Sequence, residues 1–224
     1  MVFWISWAIL TPLMFVLFPT KIIGKKYVKR LKKEAVITSC NHQSNADAII
    51  LKTRVNTSYK LMAKDSLFKN KFIGWYMGKL GAYPVKRGQN DITAVKKTLG
   101  YLKNNKHLAI FPEGTRVKEG ENAELKNGLV MFALKSDCYV VPAMFRKKPK
   151  IFSFNRLLIG QPFKFSDMEE FKDKKVDKEL MDKASEVLSA KMKYLKEVNI
   201  KEYKKLIKNE FKKSNNWFLI KNRI

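Results

Sequence analysis

Short apolar runs separated by polar, helix-like stretches set the framework of this chain. Runs at 35–40, 59–63, 82–85, 108–111 and 139–144 are rich in Val, Ile, Leu, Tyr and Ala and are bounded by polar or turn-forming residues, which is the mark of strands. Between the third and fourth runs Ile92, Val95, Leu99 and Leu102 recur at helical spacing while Lys96, Lys97 and Lys103 take the other side, so an amphipathic helix is predicted there. Strands alternating with helices predict an α/β fold with a mixed, largely parallel sheet flanked by helices. From Ser166 onward the chain turns charged and helical, with Met168, Phe171, Val176, Leu180, Ala184, Val187 and Leu188 as the apolar stripe expected to pack on that sheet.

The first stretch is different. Residues 2–19 carry no charge and are dominated by Phe, Trp, Ile, Leu and Val, with Pro12 near the middle. A spanning helix needs about 20 apolar residues, and a mid-helix proline removes a hydrogen bond and bends the chain. No basic region precedes the run and no small-residue cleavage site follows it, so it is expected to stay in the protein. Three placements are open: a short span, a bent segment in the membrane interface with Trp4 and Trp7 near the headgroups, or a helix buried in the core. Seven Lys/Arg and no acid follow between Lys21 and Lys33, an arrangement that suits the cytoplasmic face of an anionic membrane. The partition this predicts is a membrane-associated segment at 1–33 that includes an N-terminal membrane-embedded helix, an α/β catalytic core at 34–165, and a C-terminal helical region at 166–224. The last part, 201–224, mixes lysines with Trp217, Phe218, Leu219 and Ile220, either as a second surface-seeking helix or as a frayed end.

Composition narrows the function classes. A chain of 224 residues with 46% hydrophobic positions and 15 Phe is not a disordered tail. Its formal charge of +26 draws it to polyanions: nucleic acid, anionic lipid or phosphorylated ligands. Nucleic-acid binding leaves the apolar N-terminal run unexplained, and no nucleic acid is expected as partner. Cys40 and Cys138 both fall among apolar or small residues in strand-like runs, which argues against a disulfide framework.

Candidate chemistry sits where predicted strands end, the place α/β sheets put their sites. The run 35–40 leads into Asn41-His42-Gln43-Ser44-Asn45-Ala46-Asp47. Within one helix His42 and Asp47 would stand roughly 140° apart at 3.6 residues per turn, so they meet only if the helix starts after His42. Ser44 or Asn45 supplies an N-cap, and Ser44 with Asp47 has capping-box spacing. Asp47 can then reach back to one ring nitrogen and leave the other free to accept a proton. A surface histidine beside an N-terminal acid is the plain alternative. Phe111-Pro112-Glu113-Gly114-Thr115-Arg116 ends another strand. There proline stops the ladder, glycine permits a tight turn, and an arginine suits a phosphate, unless Glu113 and Arg116 are only a surface pair. Gly81-Ala82-Tyr83-Pro84-Val85-Lys86-Arg87, Lys126-Asn127-Gly128 and Val141-Pro142 are weaker signals of the same kind.

In their order these residues resemble the 1-acylglycerol-3-phosphate acyltransferases, with the likeness running from about Val36 to Phe163 through Ile159-Gly160-Gln161-Pro162. The resemblance implies that His42 is the catalytic base and Asp47 its orienting acid. It implies an acceptor-phosphate site at Glu113, Gly114, Thr115 and Arg116 with Arg87, and an N-terminal membrane-embedded helical segment. Lys126, or backbone N–H groups at the start of the helix after His42, are candidates for the thioester oxyanion. The expected donor is acyl-CoA or an acyl carrier protein, and the acceptor a lysophospholipid such as lysophosphatidate, or glycerol 3-phosphate. No cofactor or metal is expected. Ser44 lacks a G-x-S-x-G elbow, Cys40 reads as an inert strand thiol, and His107 as structural.

Overall fold

The computed structural model describes residues 2–86, 88, 90–117 and 125–213. Its elements run α1 (Val2–Leu17), β1 (Thr20–Ile23), α2 (Lys25–Arg30), β2 (Val36–Cys40), α3 (Ala46–Ile50), β3 (Lys60–Lys64), α4 (Lys71–Lys79), β4 (Ala82–Val85), α5 (Ile92–Lys103), β5 (His107–Ile110), α6 (Gly128–Ser136), β6 (Tyr139–Phe145), β7 (Asn155–Ile159), α7 (Lys178–Glu197) and α8 (Ile200–Lys213). The helix begun by α3 continues as a π-helical turn, Leu51–Val55. One sheet takes all the strands in the order β1-β7-β6-β2-β5-β3-β4. Every pairing is parallel except β6 with β7.

The central strands read as largely apolar runs because they are covered on both faces. β2 and β5 are buried at every position. One face is covered by α5, α6 and α7, whose Leu102, Phe132, Leu188 and Met192 join Ile37, Leu108 and Val140. The other carries α2 and α3, with Tyr27, Leu31, Ile50 and Leu51 packed on Val36, Ala109, Val141 and Leu157.

Helices α1 and α4 touch this second face, through Met14 and Phe18 for α1 and Met77 for α4. Helix α8 closes the β1 edge of the sheet. Tyr203 is buried and donates to the Ile159 carbonyl at 2.7 Å, and Phe211 meets Tyr27 and Arg30 of α2.

The structure corrects the sequence reading in several places. Residues 1–33 do not stand apart from the core: β1 is the sheet's edge strand and α2 buries Tyr27 and Val28. β7, like β1, escapes the apolar pattern because it is short and has a basic residue, Arg156 or Lys21, in mid-strand. In α5 Ala94, Thr98 and Leu102 are buried, Val95 and Leu99 pack partly buried against the core, and Ile92 is exposed. The shift follows from Thr98, whose hydroxyl is held between the Ala94 carbonyl and the Tyr83 hydroxyl.

Met168 lies between two 3-10 turns and Phe171 ends the second, so neither is in an α-helix. α7 starts at Lys178, where the Asp177 side chain accepts from Leu180 N at 2.9 Å. Among the described residues no helix is long and apolar enough to cross a membrane. α1 has 16 residues, about 24 Å at 1.5 Å per residue against a hydrocarbon core of about 30 Å. A buried core helix fits no better, because Met14 is covered while Ile9, Leu13, Phe15 and Val16 are exposed. Residues 214–224, with Trp217 to Ile220, lie outside the described part.

Candidate active site

Strands β2 and β5 are parallel neighbours, Val36 opposite His107 through Ser39 opposite Ile110, so the segments after them emerge side by side. His42 follows the first and Glu113 to Arg116 the second. Asn41 anchors the first exit: its buried side chain donates to the Phe145 carbonyl at 3.0 Å and accepts from Phe145 N at 2.7 Å. This carries the attachment to β6 one step past the ladder. The chain then leaves the sheet at His42 and re-enters regular structure in α3.

A capping box fixes the start of α3. Ser44 Oγ accepts from Ala46 N at 2.9 Å, and Asp47 Oδ2 accepts from Ser44 N at 2.7 Å and Gln43 N at 2.6 Å. Ser44 is thus the capping residue, since Asn45 makes no side-chain cap bond. The same Asp47 oxygen lies 3.0 Å from His42 Nδ1. A carboxylate only accepts, so Nδ1 carries the proton and Nε2 presents its lone pair. Asp47 is fully buried while the His42 side chain keeps 14% exposure, so the ring's free edge faces the surface. Phe111 covers a face of the imidazole, with centroids 4.1 Å apart and planes 21° apart.

The second motif grips the backbone of the first. Glu113 Oε2 accepts from His42 N at 2.7 Å, and Val117 N donates to the His42 carbonyl at 2.9 Å. The turn between them is closed by Gly114 N on the Phe111 carbonyl at 3.0 Å and steadied by Lys126 N on the Pro112 carbonyl at 2.9 Å. Burial pushes the Glu113 carboxyl above its usual range; the nearby Asp47 charge adds to this, and the His42 N–H and ring oppose it. Glu113 therefore serves the histidine loop through its backbone. Thr115 and Arg116 are exposed beside it, as is Lys126.

Gly114 has φ +72°, and a β-carbon there would stand 3.0 Å from Cδ, Cε and Nζ of Lys126. An L side chain at that φ costs about 1–2 kcal/mol, worth roughly 2–8 °C of melting temperature in a chain of this size. Gly114→Ala is expected to lower the melting temperature by that amount and the transfer rate about tenfold, because the turn that holds His42 must shift. Thermal melts with initial rates check this; a variant with parental values would show that the turn tolerates a side chain.

β4 ends at Val85 at the same end of the sheet, two strands from β5, but Arg87 lies outside the described residues. Lys86 N donates to Asp91, which also caps α5. Cys40 is fully buried, and burial drives its thiol pKa well up, aided by the Asp47 and Glu113 charges, so it makes no thiolate beside His42. His107 is held in the core between Asn56 and the Leu31 carbonyl. The sequence reading missed the anchoring role of Asn41, the stacking of Phe111 and the Val117 N–H. Only the position of Asn41 beside His42 hinted at any of them.

A protein-family profile described as Acyltransferase matches residues 20–146. The chain is 32% identical over 149 residues to the 1-acyl-sn-glycerol-3-phosphate acyltransferase of Bacillus subtilis, covering 62% of this chain and 71% of that protein. It is 33% identical over 146 residues to the Saccharomyces cerevisiae protein of the same name, covering 61% of this chain and 47% of the yeast protein. With the chloroplastic LPAT1 of Arabidopsis thaliana it shares 35% identity over 104 residues, 46% of this chain and 29% of that protein. The crystal structure of the Thermotoga maritima 1-acyl-sn-glycerophosphate acyltransferase PlsC is similar with a TM-score of 0.60 at 25% identity, covering 80% of this chain and 73% of that one.

Proposed function

Because the chain belongs to the Acyltransferase family, we propose that it moves a fatty acyl group from a thioester donor, acyl-CoA or acyl carrier protein, to the free hydroxyl of 1-acyl-glycerol-3-phosphate, giving phosphatidic acid. The acceptor follows the activity for which the relatives are named. The observation that carries the chemistry is the bond between His42 Nδ1 and Asp47 Oδ2 at 3.0 Å. It sets the tautomer in which Nε2 acts as base.

His42 Nε2 takes the acceptor's hydroxyl proton as that oxygen attacks the thioester carbonyl carbon. Asp47 stabilises the resulting imidazolium. The tetrahedral intermediate collapses, the C–S bond breaks, and the thiolate leaves with the proton returned by His42. N–H groups at the start of α3 or the Lys126 ammonium are the candidates to face the oxyanion. The acyl group passes straight to the acceptor, without a covalent stop on the enzyme. Initial rates with labelled donors and a panel of lysolipids, read by product mass, test the assignment; acylation of none of them sinks it.

Arg116, with Arg87, is proposed to hold the acceptor's phosphate. Charge-assisted hydrogen bonds of this kind contribute about 1.5–3 kcal/mol, roughly 10- to 100-fold in affinity. Arg116→Ala is therefore expected to raise KM for the phosphorylated acceptor by that factor and leave KM for the donor within about twofold. Equal effects on both substrates would place Arg116 elsewhere. α1 is proposed to lie in the membrane interface through its exposed Ile9, Leu13 and Val16, on the cytoplasmic face, with the basic residues of Lys21 to Lys33 meeting anionic headgroups.

A further inference from the structure

We infer that α4 and the 3-10 turn before it form a second bilayer-contact edge, across the catalytic mouth from α1. His42 then opens between two lipid-touching margins. The inference concerns lipid contact alone and holds for any acyl acceptor.

Sheet topology supplies the first argument. β7 runs antiparallel to β6, so the N-termini of β1 and β7 lie at the end of the sheet where β2 and β5 finish and His42 emerges. α1 arrives at that end, tied to the loop before β7 by Phe152 N on the Leu17 carbonyl at 2.7 Å. Phe152 and Phe154 of this loop are 73% and 87% exposed. The 3-10 turn Asp65–Phe68 and the start of α4 follow the C-terminus of β3, also at that end. Phe72 is 67% exposed there, with Leu67, Ile73 and Trp75 at 43–47%. No residue of α4 is buried.

Both margins belong to one layer. Phe68 and Met77 pack on the same side of the sheet as Met14 and Phe18, and α3, which starts at the His42 loop, packs on that side too.

Charge and breadth select the occupant. Around α4 stand Lys64, Lys69, Lys71 and Lys79 with Asp65 as the one acid from 60 to 86, and residues 146–156 hold no acid at all. Aromatic tips ringed by lysines suit an anionic interface. The margins at β7 and β4 are five strand spacings apart in the sheet order, about 24 Å at roughly 4.8 Å each. A flat anionic bilayer reaches both at once, whereas a compact acidic protein on α4 leaves the Phe152 margin uncovered.

The test uses thiol labelling of the full chain, since Cys40 and Cys138 are both buried and a nitroxide reagent goes to the introduced site. Phe72→Cys, Phe154→Cys and, at the opposite end of the sheet, Lys103→Cys are labelled and added to vesicles of equal phosphatidylcholine and phosphatidylglycerol. Labels at 72 and 154 are expected to become shielded from a water-soluble relaxation agent and accessible to oxygen, with the label at 103 unchanged. A label at 72 that stays in water while 154 is immersed overturns the inference, as does shielding of 72 only on addition of acyl carrier protein. In parallel, Phe72→Ser with Trp75→Ser is expected to slow acylation of a long-chain acceptor in vesicles about tenfold and to spare a short-chain soluble acceptor. Loss on both acceptors, or on neither, counts against lipid contact, while inactivity of the parent chain on every lysolipid bears on the proposed function alone.

Discussion

Replacing His42 by alanine is expected to lower acyl transfer by about 10³-fold and leave the fold intact. A positioned general base contributes about 10²- to 10⁴-fold, and among the described residues of the site the imidazole is the group whose ring nitrogen is oriented by a buried carboxylate. The fold survives because the loop is held through its backbone: His42 N on Glu113 and Val117 N on the His42 carbonyl. What the substitution removes is the ring, its bond to Asp47 and its stacking on Phe111. Initial rates with labelled donor, alongside circular dichroism and a thermal melt, check both halves. Turnover within tenfold of the parent would take the base assignment away from His42.

Asp47→Asn is expected to cost about 10²-fold in turnover and also to weaken the loop. Three donors converge on Asp47 Oδ2: His42 Nδ1, Gln43 N and Ser44 N. A neutral amide oxygen can take that place but supports the imidazolium less. The amide nitrogen must then occupy the position of Oδ1, which is buried and without a hydrogen-bond partner among the described residues. Burying an unpaired donor costs about 1–3 kcal/mol, so the melting temperature should fall by several degrees, unlike that of His42→Ala. The two signatures distinguish a base from its positioning residue. An Asp47→Asn enzyme as slow as His42→Ala but fully stable would contradict this account.

The chain displayed its central strands openly because they are covered on both faces. β2 and β5 are buried throughout and largely apolar, and such a run between turn residues has few other readings. β1 and β7 were hidden for the converse reason: four or five residues with a lysine or arginine in the middle look like loop. The sheet therefore reaches back into residues Thr20 to Ile23, ahead of the run at 35–40.

At the site, the pairing of His42 with Asp47 was legible because a capping box is a local pattern with a local consequence. The grip of Glu113 and Val117 on the His42 backbone was not, since it joins segments about 70 residues apart through backbone groups every residue carries. The resemblance alone put Glu113 at the acceptor site; its bond to the His42 N–H is one that side-chain chemistry does not announce.

The parallel pairing of β1 with β7 has a consequence for the order in which the molecule is made. Thr20 pairs with Asn155, so the first strand to leave the ribosome has its ladder partner in the last. Parallel contacts between such distant segments form late. Until β7 is synthesised, β1 lacks its ladder partner, and α1, which leads into β1, is not yet tied to the loop before β7. On the interfacial placement proposed for α1, lipid attachment would precede completion of the sheet, and the catalytic mouth would be assembled already facing the bilayer.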